Sequence, residues 1–182
     1  MAGMIEMYLP ADQFEDKVLR QGDIIRQVHL CGAINLASVL YSVTANSQDA
    51  ASWTVPLPPK RGDAIVLSHS CEIAPENGVK LTSIILAPIR DINTATRPEK
   101  IEELIKSNLI DQAKVDASYL KYFYLPPNPL LEHAVGAIAD FSKCFSLRKQ
   151  CYQSLLDNKV IQLTPQAQCE MSLKLALYFH RS

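Results

Sequence analysis

Four side chains capable of acid–base or nucleophilic chemistry follow one short apolar run. Residues 64–67 have the length and composition of a buried strand, and directly after them come Ser68, His69, Cys71 and Glu72. Functional groups are often carried where a rigid element passes into a loop, because the scaffold fixes their position. A hydroxyl, an imidazole, a thiol and a carboxylate at one strand end therefore predict a functional site, although they match no named catalytic motif.

The imidazole and the thiol could work as a pair. His69 and Cys71 are two residues apart, so on a strand they would lie on the same side. An imidazole next to a thiol favours the thiolate, which is the reactive form of cysteine, and Glu72 could orient that imidazole. Ser68 is a further candidate nucleophile or ligand. In the alternative interpretation His69 binds a backbone carbonyl and Cys71 is a buried small residue.

Cysteine usage and charge limit the classes of function. The chain has 182 residues, five cysteines and a net charge of -1. An odd number of cysteines without a C-x-x-C spacing predicts reduced thiols and a cytoplasmic location. His69 and Cys71 are the only closely spaced zinc-type ligands, so we expect no metal site and no cofactor. The charge gives no general attraction to nucleic acid, and no apolar segment is long enough to imply a membrane partner.

The elements that must position these residues are mainly strands. Apolar and β-branched runs predict strands at 22–30, 36–44, 61–68, 79–89, 122–125, 135–141, 145–148 and 160–163. A loop at 46–61 and a turn at 75–78 separate the early strands. Helical spacing predicts helices from Thr96 to about residue 109, over 111–120, at 151–156, and from a Thr164 cap to about His180. We expect a single domain, 1–182, of the α+β class.

Short motifs recur in a known order along these elements. They are Gly22-Asp23-Ile24-Ile25, then Arg61 with Val66-Leu67-Ser68, then Ala87-Pro88-Ile89, and finally Leu163-Thr164-Pro165-Gln166. Their succession resembles the MazF/PemK-type family of toxin endoribonucleases. The resemblance implies a curled, mainly antiparallel β-barrel that forms a homodimer and cleaves single-stranded RNA without a metal ion.

The chain departs from that family at three places. Arg90 stands where the family has a threonine that takes part in cleavage, and Arg61 is followed by Gly-Asp instead of proline. Residues 91–133 are an insertion within the barrel and could cover an RNA groove. These departures, together with the near-neutral charge, favour an alternative in which a non-catalytic barrel binds a protein or regulatory partner.

Metal-independent RNA cleavage needs a base for the 2′-hydroxyl and a cation for the phosphate. The sequence predicts His69 or Glu72 as the base and Arg61 or Arg90 as the cation. We expect the group at residues 68–72 to lie close enough to one of these arginines to share an anion. A further alternative is a thiol- or metal-dependent enzyme that uses His69, Cys71 and Glu72.

Overall fold

The structure is a computed structural model that describes residues 6–29, 61–73, 83–108 and 117–181. Its strands are β1 (Asp23–His29), β2 (Arg61–Val66), β3 (Ser83–Asp91), β4 (Tyr122–Leu125), β5 (Ala137–Asp140), β6 (Phe145–Arg148) and β7 (Lys159–Gln162). Its helices are α1 (Ser70–Ile73), α2 (Ile101–Lys106), α3 (Tyr152–Asp157) and α4 (Pro165–Arg181). The predicted strand at 36–44, the loop up to residue 60 and the turn at 75–78 lie outside the described residues.

The seven described strands form one curled sheet. Their order is β4-β5-β3-β2-β1-β7, and β6 also pairs with β3. Every pairing is antiparallel, and β5 and β6 follow each other along the same side of β3. The predicted α+β class, curled antiparallel sheet and C-terminal helix are confirmed. In the described part of the chain this sheet is a half-barrel.

The middle of the sheet is buried on both faces. Along β2, Ile65 faces the core that α4 covers with Ala167 and Met171. Its neighbours Ala64 and Val66 face the opposite core, which α3 closes. Burying a side chain of the size of Ile65 or Val66 contributes about 1.5–3 kcal/mol. The two cores therefore hold the central strands rigidly, so their ends are fixed positions for functional groups.

The helix start predicted at Thr164 is confirmed, whereas the one predicted at Thr96 is not. Thr164 caps α4, because its Oγ1 accepts a hydrogen bond from the Ala167 N–H at 3.2 Å. The predicted helix start at Thr96 is wrong: Arg97 precedes a 3₁₀ turn over Pro98–Lys100 without a side-chain cap bond, and α2 begins only at Ile101. Helix α2 ends at Lys106, earlier than predicted. In the predicted helix at 111–120, Ala117–Tyr119 is a 3₁₀ turn and 111–116 lie outside the described residues.

Strand boundaries differ from the prediction where tertiary contacts decide them. Strand β3 continues to Asp91 because its end pairs with β5. Strand β5 begins at Ala137 because Gly136 has a φ of 107°, which a strand does not accommodate. Strand β7 ends at Gln162, and Leu163 forms an isolated bridge with Tyr8.

Candidate functional site

The predicted site residues lie at opposite ends of the same two strands. In the register of β2 and β3, Ala64 is opposite Pro88 and Val66 is opposite Leu86. Ser68 therefore adjoins the start of β3, whereas Arg61 begins β2 and Arg90 is near the end of β3. Seven residues of strand span roughly 20 Å at about 3.3 Å each. The register places His69 and the two arginines toward opposite ends of these strands, which does not support the predicted shared anion site, and that site stays a prediction from the sequence.

At the residue 68 end, two serines hold the backbone. The Oγ of buried Ser68 accepts a hydrogen bond from Ile85 N at 2.8 Å, and the Oγ of Ser70 accepts one from Gln21 N at 3.1 Å. His69 is exposed. Because Ser70–Ile73 is a helical turn, the predicted strand-like placement of residues 69 and 71 on one side is wrong.

The side chains of Cys71 and Glu72 lie outside what the structure describes, although their backbone belongs to α1. Catalytic roles for His69, Cys71 and Glu72 therefore stay predictions from the sequence. The described contacts of Ser68 are those of a residue that fixes the junction between two strands.

Arg90 forms an ion pair with a buried carboxylate. Its Nη1 lies 2.7 Å from Asp140 Oδ2, and its Nη2 lies 3.3 Å from the carbonyl oxygen of Thr94. Asp140 is 1 % exposed, and its second oxygen accepts hydrogen bonds from Ser142. These contacts join β3 to β5, so the role of Arg90 that the structure supports is to hold these two strands together.

A charged group that the sequence analysis missed lies at the same end as Arg61. We call it the charged end, and its members are Arg26 from β1, Asp63 from β2, Asp91 from β3, and Glu132 and His133 from the segment before β5. Arg26 Nε lies 4.0 Å from Asp63 Oδ1, and Arg26 Nη2 forms an ion pair with Glu132 Oε1. His133 Nδ1 lies 3.6 Å from Asp91 Oδ2.

An unusual backbone builds the charged end. The register of β1 against β2 shifts between Ile25 and Val28, and within this bulge Gln27 has a φ of 54°. The Gln27 N–H donates a hydrogen bond to the Asp63 carboxylate. Glu132 also has a φ of 54°, and within the described chain no other non-glycine residue has a positive φ. Bulges and left-handed residues are enriched beside functional sites, where they aim side chains.

The surroundings of Asp63 and Asp91 move the pKa values of these two carboxyl groups in opposite directions. Burial raises the pKa of Asp63, against the opposing effect of Arg26. The hydrogen bond from the Asn93 N–H lowers the pKa of Asp91. Two carboxyl groups whose pKa values move in opposite directions are suited to different roles, one exchanging protons and one staying ionised. Asp63 fits the first role, and Asp91, beside His133, fits the second.

Among the described residues, the possible metal ligands and the thiols do not form a second candidate site. There, no group of three His, Cys, Asp or Glu side chains is arranged to hold a metal ion. Cys144, Cys151 and Cys169 are unpaired thiols. Burial raises the pKa of Cys144 to about 11, and its Sγ donates to the Phe141 carbonyl. Cys144 therefore stays protonated and unreactive at neutral pH.

Comparison with known proteins gives no relative: no protein-family model matches the chain, and no curated protein matches it. None of the described helices has the length and apolar character needed to cross a bilayer. Fold and site together define an α+β protein with a curled antiparallel half-barrel, compatible with a small barrel fold, and a cluster of acid–base groups at one end of its sheet.

Proposed function

We propose that the charged end cleaves single-stranded RNA without a metal ion. The observation that supports this most is the meeting of Asp63, Arg26 and the His133–Asp91 pair at one sheet end. A carboxylate base, an imidazole acid and a guanidinium cation are the groups that metal-free cleavage requires. Arg61, exposed at the start of β2, supplies a second cation for a neighbouring phosphate.

Each group has a defined part in the reaction. Asp63 accepts the proton of the RNA 2′-hydroxyl, whose oxygen then attacks the adjacent phosphorus. The bond from phosphorus to the 5′-oxygen breaks, and His133 donates a proton to that leaving oxygen. Arg26 neutralises the charge that develops on the phosphate. DNA lacks the attacking hydroxyl, so this site discriminates RNA from DNA by chemistry.

Two details of the geometry support these roles. Nδ1 of His133 faces Asp91, so Nε2 is the nitrogen that faces substrate. Arg26 Nε is buried and has no hydrogen-bond acceptor among the described residues. A buried donor without an acceptor is costly, so a phosphate oxygen that reached this N–H would gain a charge-assisted hydrogen bond.

The test is incubation of mixed-sequence single-stranded RNA with the purified protein in excess chelator, beside DNA of the same sequence. We expect RNA to be cut and DNA to stay intact. His133→Gln should lower the rate by roughly 100- to 10,000-fold, the usual contribution of a general acid. His180→Gln, at an exposed histidine of α4, is the matched control and should leave the rate unchanged.

The same assay separates the two ends of the sheet. A loss of rate with His69→Ala but not with His133→Gln would place the reaction at the residue 68 end. Absence of both RNA cleavage and RNA binding at low salt would remove the nuclease function altogether. Arg90 is excluded from this comparison because its substitution disturbs the buried Asp140.

A second candidate function is binding of a second copy of this chain without catalysis. Leu130 and Val135 are 48 % and 49 % exposed and flank Glu132 and His133. Apolar side chains surrounded by charged ones are typical of protein interfaces. Sedimentation equilibrium would then show a dimer that Leu130→Asp with Val135→Asp converts to monomer. An unmodified protein that stays monomeric would rule this candidate out.

A further inference from the structure

One lysine is fully buried among neutral side chains. Lys174 on α4 is 0 % exposed, and its Nζ lies 2.7 Å from Ser107 Oγ and 3.2 Å from Asn108 Oδ1. None of the ion pairs among the described residues includes Lys174. Lysine is almost never fully buried unless a charged group accompanies it. This arrangement lies outside the charged end and has no part in the proposed cleavage.

The hydrogen bonds fit an uncharged amine. A neutral lysine amine has two N–H donors, and the two acceptors here match that number. An ammonium group has three donors, so one would have no acceptor within the described residues. Burial also lowers the pKa of Lys174 to about 7. Geometry and burial therefore agree that charging Lys174 destabilises its present position.

The acceptors of Lys174 themselves hold other elements. Ser107 Oγ donates to the Leu104 carbonyl at 2.6 Å and so closes the end of α2. Asn108 Nδ2 donates to the Tyr124 carbonyl at 2.8 Å, and Asn108 Oδ1 accepts from Tyr124 N at 2.9 Å. The Asn108 amide thus pairs with the backbone of β4, the first strand in the sheet order. Lys174 links α4 to this pairing.

We propose that the connection from Lys174 through Asn108 to β4 is a pH-sensitive latch, closed when Lys174 is uncharged and loosened when it takes up a proton. Other titratable groups on the elements packed here are Glu170 and Tyr178 on α4, Tyr124 on β4, Glu103 on α2 and Tyr8 on the N-terminal segment. Burial raises the pKa of Glu170, Tyr124 and Tyr8, which favours the neutral form of each, so protonation of these three groups adds no positive charge beside Lys174.

The direction of the pH effect follows from proton binding. A lysine exposed by opening has a pKa of about 10.4, whereas the closed state holds it near 7. Between these values the open state binds more protons, so acidification favours opening. The opening constant should rise about tenfold for each pH unit lowered from about 10 to about 7, and should level off below that.

Amide hydrogen exchange at Tyr124 and in α4 tests the latch. Hydroxide catalyses exchange, so an amide whose opening is independent of pH exchanges about tenfold faster for each pH unit gained. In the unmodified protein the falling opening constant cancels this rise, so the rates should be nearly constant between pH 7 and 9. In Lys174→Met the rates should climb about tenfold per pH unit.

Lys106→Met, at an exposed lysine of α2, is the control and should behave as the unmodified protein does. Equal pH dependence in the unmodified protein and in Lys174→Met would overturn the proposal. A direct measurement needs no variant: the Lys174 amine, followed by nuclear magnetic resonance in the unmodified protein, should titrate near pH 7. A titration above about pH 10 would overturn the latch even if Lys174→Met does not fold.

Discussion

At the residue scale, the clearest division is between charges that hold the fold and charges that are available for chemistry. Arg90 binds the buried Asp140, and Lys159 binds the buried Asp23 at 2.8 Å. Both aspartates therefore serve the architecture. Asp63 differs, because its nearest cation contact is 4.0 Å away and a backbone N–H of a strained bulge holds it. That difference is why we assign proton transfer to Asp63.

Arg90→Ala should therefore weaken folding. The Arg90 side chain is 30 % exposed, and it is bonded to a carboxylate that is 1 % exposed. We expect a loss of about 1–3 kcal/mol in the free energy of unfolding, below the usual cost of breaking a fully buried pair because Arg90 is partly solvated. Urea unfolding measures this.

The matched control is Arg148→Ala, because Arg148 is exposed on β6. Its free energy of unfolding should stay within about 0.5 kcal/mol of the unmodified protein. Equal small effects for Arg90→Ala and Arg148→Ala would show that the Asp140 pair contributes nothing to stability.

At the scale of elements, the segment between β4 and β5 decides where His133 lies. Asn128 Oδ1 accepts from Leu130 N, Leu131 is buried, and the Gly136 N–H donates to the His133 carbonyl. Gly136 has a φ of 107° and adjoins Tyr124. The segment is thus a fixed turn that directs Glu132 and His133 toward the charged end.

Gly136→Ala should distort this turn. The added Cβ would lie 2.8 Å from a ring carbon of Tyr124 and 2.9 Å from the Leu125 carbonyl oxygen, and the φ is unfavourable for alanine. We expect a loss of about 2–4 kcal/mol in the free energy of unfolding, measured by urea unfolding. Val135→Ala, at a half-exposed neighbour, should cost less than about 1 kcal/mol. Similar values for the two variants would contradict the described turn.

Elements were predictable where one local signal sufficed. The apolar run at residues 64–67 identifies β2, and Thr164 with Pro165 identifies the start of α4. Boundaries failed where distant contacts decide them: Asn108 leaves α2 to bind Tyr124, and β3 is extended by its pairing with β5. Local propensity contains no information about such contacts.

The charged end was not predictable for the same reason. Its members come from positions between 26 and 133, and only sheet register and the β1 bulge bring them together. One signal was present: Asp63 places a carboxylate within β2, directly before the apolar run at residues 64–67. The cluster at residues 68–72 was conspicuous because it is contiguous in sequence. Contiguity does not require that side chains converge in space.

At the scale of the whole molecule, the half-barrel separates two ends of one rigid sheet. One end carries the serines that fix the β2–α1 junction, and the other carries acid–base groups on strands whose middles are buried on both faces. Catalysis depends on groups held in place by a scaffold that does not yield. We therefore assign the reaction to the end of the sheet that holds Asp63.

The most direct test compares Asp63→Asn with Asp16→Asn in the rate of RNA cleavage under excess chelator. Both changes replace a carboxylate by an amide of the same shape, one at the charged end and one at an exposed position near the N-terminus. We predict a loss of roughly 100- to 10,000-fold for Asp63→Asn and no change for Asp16→Asn, with both proteins folded by circular dichroism. Equal rates for the two variants would contradict the proposed site.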